Sequence, residues 1–226
     1  MTIFNALKQE YQYMHDQSQE HNKQLLSTIG PVVPVADFID EGHASACCEL
    51  FTECGVPSVE VTLRRANAWD SVRKCIELMP NAEVGIGTVI EADQLRQAKD
   101  LGAAFAISPG ISEDLVLLAQ ELELPYYPGV ASASELMLAR KLGLRSVKFF
   151  PAEAAGGIPM LKSLGSPFPD MAFCPTGGIG VNNYQDYLTL GNVSCVGGSW
   201  VVPSQAALAE QPDTVIASLQ AVYGAK

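Results

Sequence analysis

Lys148 lies in the apolar run Ser146-Val147-Lys148-Phe149-Phe150, which Pro151 closes and Ala152-Glu153 follow. Proline cannot donate to a sheet ladder and does not continue a helix, so the run reads as a short strand ending near Phe150. An ammonium buried there without a partner is costly, and burial favours the uncharged amine. An uncharged lysine is a nucleophile, and its usual chemistry is a Schiff base with a carbonyl compound. Taken alone, the same octapeptide also fits a lysine that snorkels from a strand end into water.

A second polar set lies in Ser58-Val59-Glu60-Val61-Thr62-Leu63-Arg64. The strand period of two puts Ser58, Glu60, Thr62 and Arg64 on one face and Val59, Val61 and Leu63 on the other. Glu60 is a candidate for moving protons from a buried position, and the planar fork of Arg64 suits a carboxylate. A structural pair, with Glu60 only neutralising Lys148 or Arg64, fits the same spacing equally. Two glycine turns, Thr176-Gly177-Gly178-Ile179-Gly180 and Gly197-Gly198-Ser199-Trp200, would let backbone N–H groups approach an anion. Gly85-Ile86-Gly87-Thr88 lacks the third glycine of a dinucleotide fingerprint, so no nicotinamide cofactor is expected, and Thr88 reads as a hydroxyl lent to substrate.

The elements that must position these residues repeat as a short β-rich run, a Gly-, Pro- or Ser-rich turn, and a stretch at helical period. The strands are expected at Val32–Val35, Ser58–Leu63, Glu83–Val89, Ala103–Ser108, Pro125–Tyr127, Ser146–Phe150, Ala172–Cys174 and Ser194–Val196. Helices are expected at Glu41–Cys54, Ala68–Met79, Ala92–Leu101, Glu113–Glu121, Ser134–Leu142, Pro159–Leu164, Asn183–Leu190, Ala206–Ala209 and Asp213–Tyr223. Such alternation implies parallel strands with crossover helices, and eight units close into a (β/α)8 TIM barrel. An open doubly wound sheet is the competing arrangement. Residues 1–26 read as a polar helical arm with an apolar stripe of Ile3, Phe4, Leu7, Tyr11 and Met14, and residues 27–226 as a single barrel domain. In a barrel the reacting groups belong at the C-terminal strand ends, where Lys148, Arg64, Thr88, Pro109 and both glycine turns fall.

Composition narrows the partners. The formal net charge is −11 with no basic block, which argues against nucleic acid or an anionic membrane but not against a small anion. The first residues are polar and no apolar run approaches membrane length, so a cytoplasmic protein is expected. The cysteines at 47, 48, 54, 75, 174 and 195 form no C-x-x-C pair and read as small buried hydrophobes. The only histidines are His15, His21 and His43, all early in the chain, too few ligands for a His-rich zinc site.

From about Gly30 to Pro203 the chain resembles the 2-keto-3-deoxy-6-phosphogluconate (KDPG) and 4-hydroxy-2-oxoglutarate aldolase family. The resemblance rests on Pro31-Val32-Val33-Pro34-Val35, Val59-Glu60-Val61-Thr62-Leu63-Arg64, Val84-Gly85-Ile86-Gly87-Thr88-Val89, Ile107-Ser108-Pro109-Gly110, Lys148-Phe149-Phe150-Pro151-Ala152-Glu153, Pro175-Thr176-Gly177-Gly178-Ile179 and Val196-Gly197-Gly198-Ser199-Trp200. It implies a class I aldolase in which Lys148 forms the Schiff base and Glu60 shuttles protons. Arg64 and Thr88 would hold the pyruvyl carboxylate, with Pro109 shaping its pocket. Thr176 would contact the hydroxylated part of a phosphorylated keto-acid, while Gly177, Gly178 and Ser199 would take the phosphate. Thr176 favours the gluconate over the galactonate substrate, because galactonate-type relatives tend to carry an apolar residue there. The resemblance also implies a homotrimer with no metal and no organic cofactor. A non-covalent phosphate-binding barrel isomerase is the alternative enzyme, and a sugar-phosphate binding protein without catalysis the alternative of another class. Arg65 departs from the family pattern, which commonly has threonine there, and so does Ala131-Ser132, where Ser-Thr is more usual; the extra cation could alter carboxylate preference.

Overall fold

The computed structural model describes residues 18–224. The apolar stripe expected at Ile3, Phe4, Leu7, Tyr11 and Met14 lies outside them. A helix through residues 18–28 (α1) leads into the strands β1 (Val32–Ala36), β2 (Ser58–Thr62), β3 (Glu83–Gly87), β4 (Phe105–Ile107), β5 (Tyr126–Tyr127), β6 (Gly129–Val130), β7 (Ser146–Phe149), β8 (Ala172–Pro175) and β9 (Val196–Gly198). The intervening helices are α2 (Glu41–Glu53), α3 (Ala68–Leu78), α4 (Ala92–Leu101), α5 (Glu113–Glu121), α6 (Ala133–Lys141), α7 (Gly157–Gly165), α8 (Tyr184–Leu188), α9 (Gln205–Glu210) and α10 (Pro212–Tyr223).

Among the described residues the strands pair in parallel, as the crossover helices require. The strands form a curled α/β sheet in two ladders, one ordered β5-β4-β3-β2-β1-β9 and the other β6-β7-β8. The fifth strand expected at Pro125–Tyr127 is found as Tyr126–Tyr127, and a further strand, not expected from sequence, follows Pro128, which has no N–H to donate. Tyr126–Tyr127 pair with β4 on one side of that proline, and Gly129–Val130 pair with β7 beyond it. The last strand lies later than the expected Ser194–Val196: the Ser194 N–H is drawn to Phe173 O (3.0 Å), and the ladder to β1 begins at Val196. Isolated parallel bridges, Phe173 to Val193 and Thr176 to Gly197, run between the two ladders.

Two apolar layers hold these elements. Outside the sheet, Val59 and Val61 of β2 join Cys47 and Phe51 of α2 and Val72 and Cys75 of α3 in one buried cluster. Inside the curl, Leu25, Leu26 and Ile29 pack with Val33, Phe105 and Tyr127, so α1 covers the N-terminal strand ends. Ser58 Oγ donates to Ile29 O (2.6 Å) and the Tyr127 hydroxyl to Asn22 O (2.8 Å), which satisfies both polar groups where α1 docks. The expected boundary between an arm and a barrel at 26/27 thus falls within a continuous helix.

Local chemistry starts and stops the helices. Asp40 caps α2 by accepting from the His43 N–H (2.8 Å), Glu91 and Gln94 form a capping box on α4, and Ser132 caps α6. Gly102, in the left-handed region at φ 78°, ends α4. His43 is a structural residue: it is buried, accepts from the Ile39 N–H at Nδ1 (3.3 Å) and donates from Nε2 to Pro203 O (2.8 Å). Among the described residues, no three His, Cys, Asp or Glu side chains gather as metal ligands, and no helix is long and apolar enough to cross a membrane.

Candidate active site

The polar face of β2 points into the curl. Ser58, Glu60 and Thr62 are buried there, and Thr62 Oγ1 donates to Ala36 O (3.0 Å), leaving Glu60 as the group with reactive capacity. Lys148, on the same side of β7, is 5% exposed, and its Nζ reaches Glu60 Oε1 at 3.3 Å. Strands β2 and β7 are not hydrogen-bonded neighbours, so the pair meets across the interior of the curl. Both side chains are nearly withdrawn from water, at 6% and 2% exposure, where an ion pair is screened far less than at a surface. The Phe150 ring adds a face 5.2 Å from Nζ, a contact that strand periodicity does not reveal.

Glycines make the space for this pair. In the β2–β3 ladder Thr62 lies opposite Gly87, and a Cβ built on Gly87 would overlap the Glu60 carboxylate. Gly197 opposite Thr176 does the same for the Thr176 hydroxyl. A glycine inside a strand weakens it unless something approaches closely, which is the signal that could have marked both positions from sequence. Gly87→Ala is expected to displace Glu60, lowering kcat about 100-fold and destabilising the fold by about 1–3 kcal/mol; steady-state kinetics with a thermal melt checks both.

The remaining expected site residues lie at the C-terminal strand ends. Arg64 is exposed just beyond β2, and its Nε donates to Thr88 Oγ1 (3.4 Å). Thr88 has φ 64°, a left-handed value uncommon for a β-branched residue, and there β3 stops short of the Val89 expected from sequence. Arg65 does not stand as a free extra cation, because its Nε pairs with Asp37 Oδ1 at 3.0 Å. Pro109 is placed by a hydrogen-bonded turn: the Tyr126 hydroxyl donates to Ser108 Oγ (2.7 Å), which donates to Gly110 O (2.6 Å). Burial pushes the Tyr126 phenol up to about 12, against the lowering effect of the Ser108 bond, so it remains a donor at neutral pH. Pro109 O lies against Gly129, whose ladder partner is Lys148.

Thr176, buried just past β8, is joined to the Lys148 segment by bonds from its N–H to Phe149 O (2.9 Å) and from the Ala152 N–H to its own carbonyl (2.8 Å). Gly177 and Gly178 follow at φ 103° and 78°, a backbone that other residues adopt only under strain. Ser199 is exposed just after β9. The strand ends thus gather a buried lysine and carboxylate, an arginine–threonine pair and one glycine turn at Gly177–Gly178; the second turn expected at Gly197-Gly198 is instead strand, because both residues pair with β1 as the end of β9 and only Ser199 lies beyond it.

A parallel α/β enzyme that holds a buried lysine beside a carboxylate at its strand ends is equipped for Schiff-base chemistry on a carbonyl compound. A family model described as KDPG and KHG aldolase matches residues 24–218. The KHG/KDPG aldolase of Escherichia coli (strain K12) is 46% identical over 200 residues, covering 88% of this chain and 94% of that protein. The 2-dehydro-3-deoxy-phosphogluconate aldolase of Dickeya dadantii (strain 3937) is 45% identical over 199 residues, covering 88% and 93%. Among solved structures, the KDPG aldolase of Legionella pneumophila, with pyruvate captured at low pH as a covalent carbinolamine intermediate, superposes with a TM-score of 0.83 at 42% identity over 88% of this chain and 96% of that one. The chain belongs to the KDPG and KHG aldolase family.

Proposed function

We propose that the protein cleaves 2-dehydro-3-deoxy-6-phosphogluconate reversibly to pyruvate and glyceraldehyde 3-phosphate through a Schiff base on Lys148. The observation that carries this reading is the approach of Lys148 Nζ to Glu60 Oε1 at 3.3 Å, both side chains buried inside the curl of the sheet. The pyruvate carbinolamine held by the Legionella relative supports the same chemistry here. The names of relatives at 45–46% identity support the gluconate substrate over the galactonate one.

In the reaction, the Lys148 amine adds to the C2 ketone to give a carbinolamine, and loss of water leaves an iminium. The iminium draws the electron pair of the C3–C4 bond as that bond breaks, while Glu60, through a water, takes the proton of the C4 hydroxyl. Glyceraldehyde 3-phosphate leaves, the enamine takes a proton at C3, and hydrolysis of the iminium releases pyruvate and restores the amine. The iminium is the electron sink, so the sequence of steps calls on neither a metal nor an organic cofactor. Arg64 and Thr88 hold the pyruvyl carboxylate, Pro109 walls the pocket, Thr176 contacts the hydroxylated carbons, and Gly177, Gly178 and Ser199 bind the phosphate. Without the phosphate the same machinery would split 4-hydroxy-2-oxoglutarate to pyruvate and glyoxylate, an activity that the name of the Escherichia coli relative favours.

The same reading includes closure of the sheet into a (β/α)8 barrel as one domain over residues 27–226, preceded by a helical arm. Support comes from the isolated bridges between β8 and the β9 region, and from β5 and β6 being one run divided only at Pro128. Assembly as a homotrimer and a cytoplasmic location belong to it as well, the latter supported by six cysteines none of which is in a disulfide.

The test is intact-protein mass after borohydride reduction with pyruvate, together with an assay of pyruvate release from the phosphorylated keto-acid. A single pyruvyl adduct on Lys148 and stoichiometric pyruvate release are expected. Turnover with no adduct at saturating pyruvate would move the function to a non-covalent barrel enzyme.

A further inference from the structure

Glu153 closes the motif that carries Lys148, yet no step above uses it. Its N–H donates to Gly177 O (3.1 Å), next to the Ala152–Thr176 bond. Its Oε1 accepts a hydrogen bond from the hydroxyl of Tyr187, a fully buried ring on α8. Burial above all, and then the Glu153 carboxylate, raise the Tyr187 pKa, which keeps the phenol a donor. Two glycines leave room for the contact: a Cβ on Gly178 would lie 2.7 Å from Glu153 Cβ, and one on Gly157 would lie 3.0 Å from the Tyr187 hydroxyl.

These bonds hold the glycine turn at both ends. Its start is tied by backbone bonds to Ala152 and Glu153, and its far end, through α8, by Tyr187 on the Glu153 carboxylate. Between them Gly180 N–H donates to Asn183 Oδ1 (2.8 Å). Glycine-rich backbone is the most costly to order, so a turn meant to present N–H groups at set positions needs such outside ties.

We propose that Glu153 is a positioning residue that locks the Gly177–Gly178 turn to the segment bearing Lys148, setting the distance between the phosphate end of the substrate and the Schiff-base nitrogen. This rests on the function proposed above. Hydrogen bonds to a charged acceptor are stronger than neutral ones, and an amide oxygen at the same place still accepts a proton.

The experiment compares Glu153→Ala, Glu153→Gln and Tyr187→Phe in the full chain, measuring KM and kcat for the phosphorylated keto-acid and the rate of borohydride trapping with pyruvate alone. Glu153→Ala and Tyr187→Phe are expected to raise KM about tenfold, or about 1.4 kcal/mol, with kcat and pyruvate trapping nearly unchanged. Glu153→Gln should recover most of the loss. Equal losses in KM and in pyruvate trapping would overturn the proposal in favour of a general structural role, and so would an unchanged KM. Tyr187→Phe preserves the buried ring and decides the matter should Glu153→Ala not fold. Wild-type trapping and cleavage are the separate control: their failure removes the proposed function, whereas their success with unchanged variants removes only the role of Glu153.

Discussion

Lys148→Ala should abolish the pyruvyl adduct and lower kcat/KM for the phosphorylated keto-acid by on the order of 10^4-fold or more, as when the nucleophile of a covalent mechanism is removed. The structure leaves no understudy for it. Among the described residues no other lysine is buried, and the Lys148 amine alone lies beside Glu60 inside the curl. The variant also leaves the Glu60 carboxylate 1% exposed without its cation, and removing one partner of a buried ion pair is costly to stability. Lys148→Met keeps most of the packing volume and should lose activity equally, so near-UV circular dichroism of both variants separates lost chemistry from lost fold. An adduct persisting in either variant would place the Schiff base on another amine.

The second large effect is expected at Glu60. Glu60→Gln keeps the shape and an oxygen able to accept from Lys148 but cannot take up a proton, so kcat should fall by about 10^2–10^4-fold. Pyruvate should still be trapped on Lys148, because the amine and its carbonyl partner remain. The two variants thus separate the roles: the lysine substitutions lose the adduct, and Glu60→Gln keeps it while losing turnover. A kcat within tenfold of wild type for Glu60→Gln would reduce Glu60 to a structural counter-ion for Lys148, the reading that its spacing on β2 allowed equally.

Arg65 illustrates how a sequence departure can be disarmed by the fold. Beside Arg64 it reads as an additional cation at the carboxylate end of the pocket, but the structure turns it to Asp37 at the end of β1. Both partners are more than a third exposed, so the pair contributes little to stability.

The residue pattern by itself determined the parallel α/β class, the apolar strand around Lys148, the inward polar face of β2, and the glycine turn at Gly177–Gly178, whereas Gly197-Gly198, expected as a turn, became the end of β9. These are local properties: period two, a proline stop, and glycine where the backbone must approach something or turn left-handed. Tertiary structure alone decided that Lys148 and Glu60, 88 residues apart and on unpaired strands, meet at 3.3 Å, because strand curl and register set the distance across an interior. It also added a short strand beyond Pro128, ended β3 before the left-handed Thr88, and drew the Glu153 carboxylate to Tyr187. Each of these depends on which neighbour supplies a hydrogen-bond partner or vacates a volume, and one strand's sequence carries no record of its neighbours.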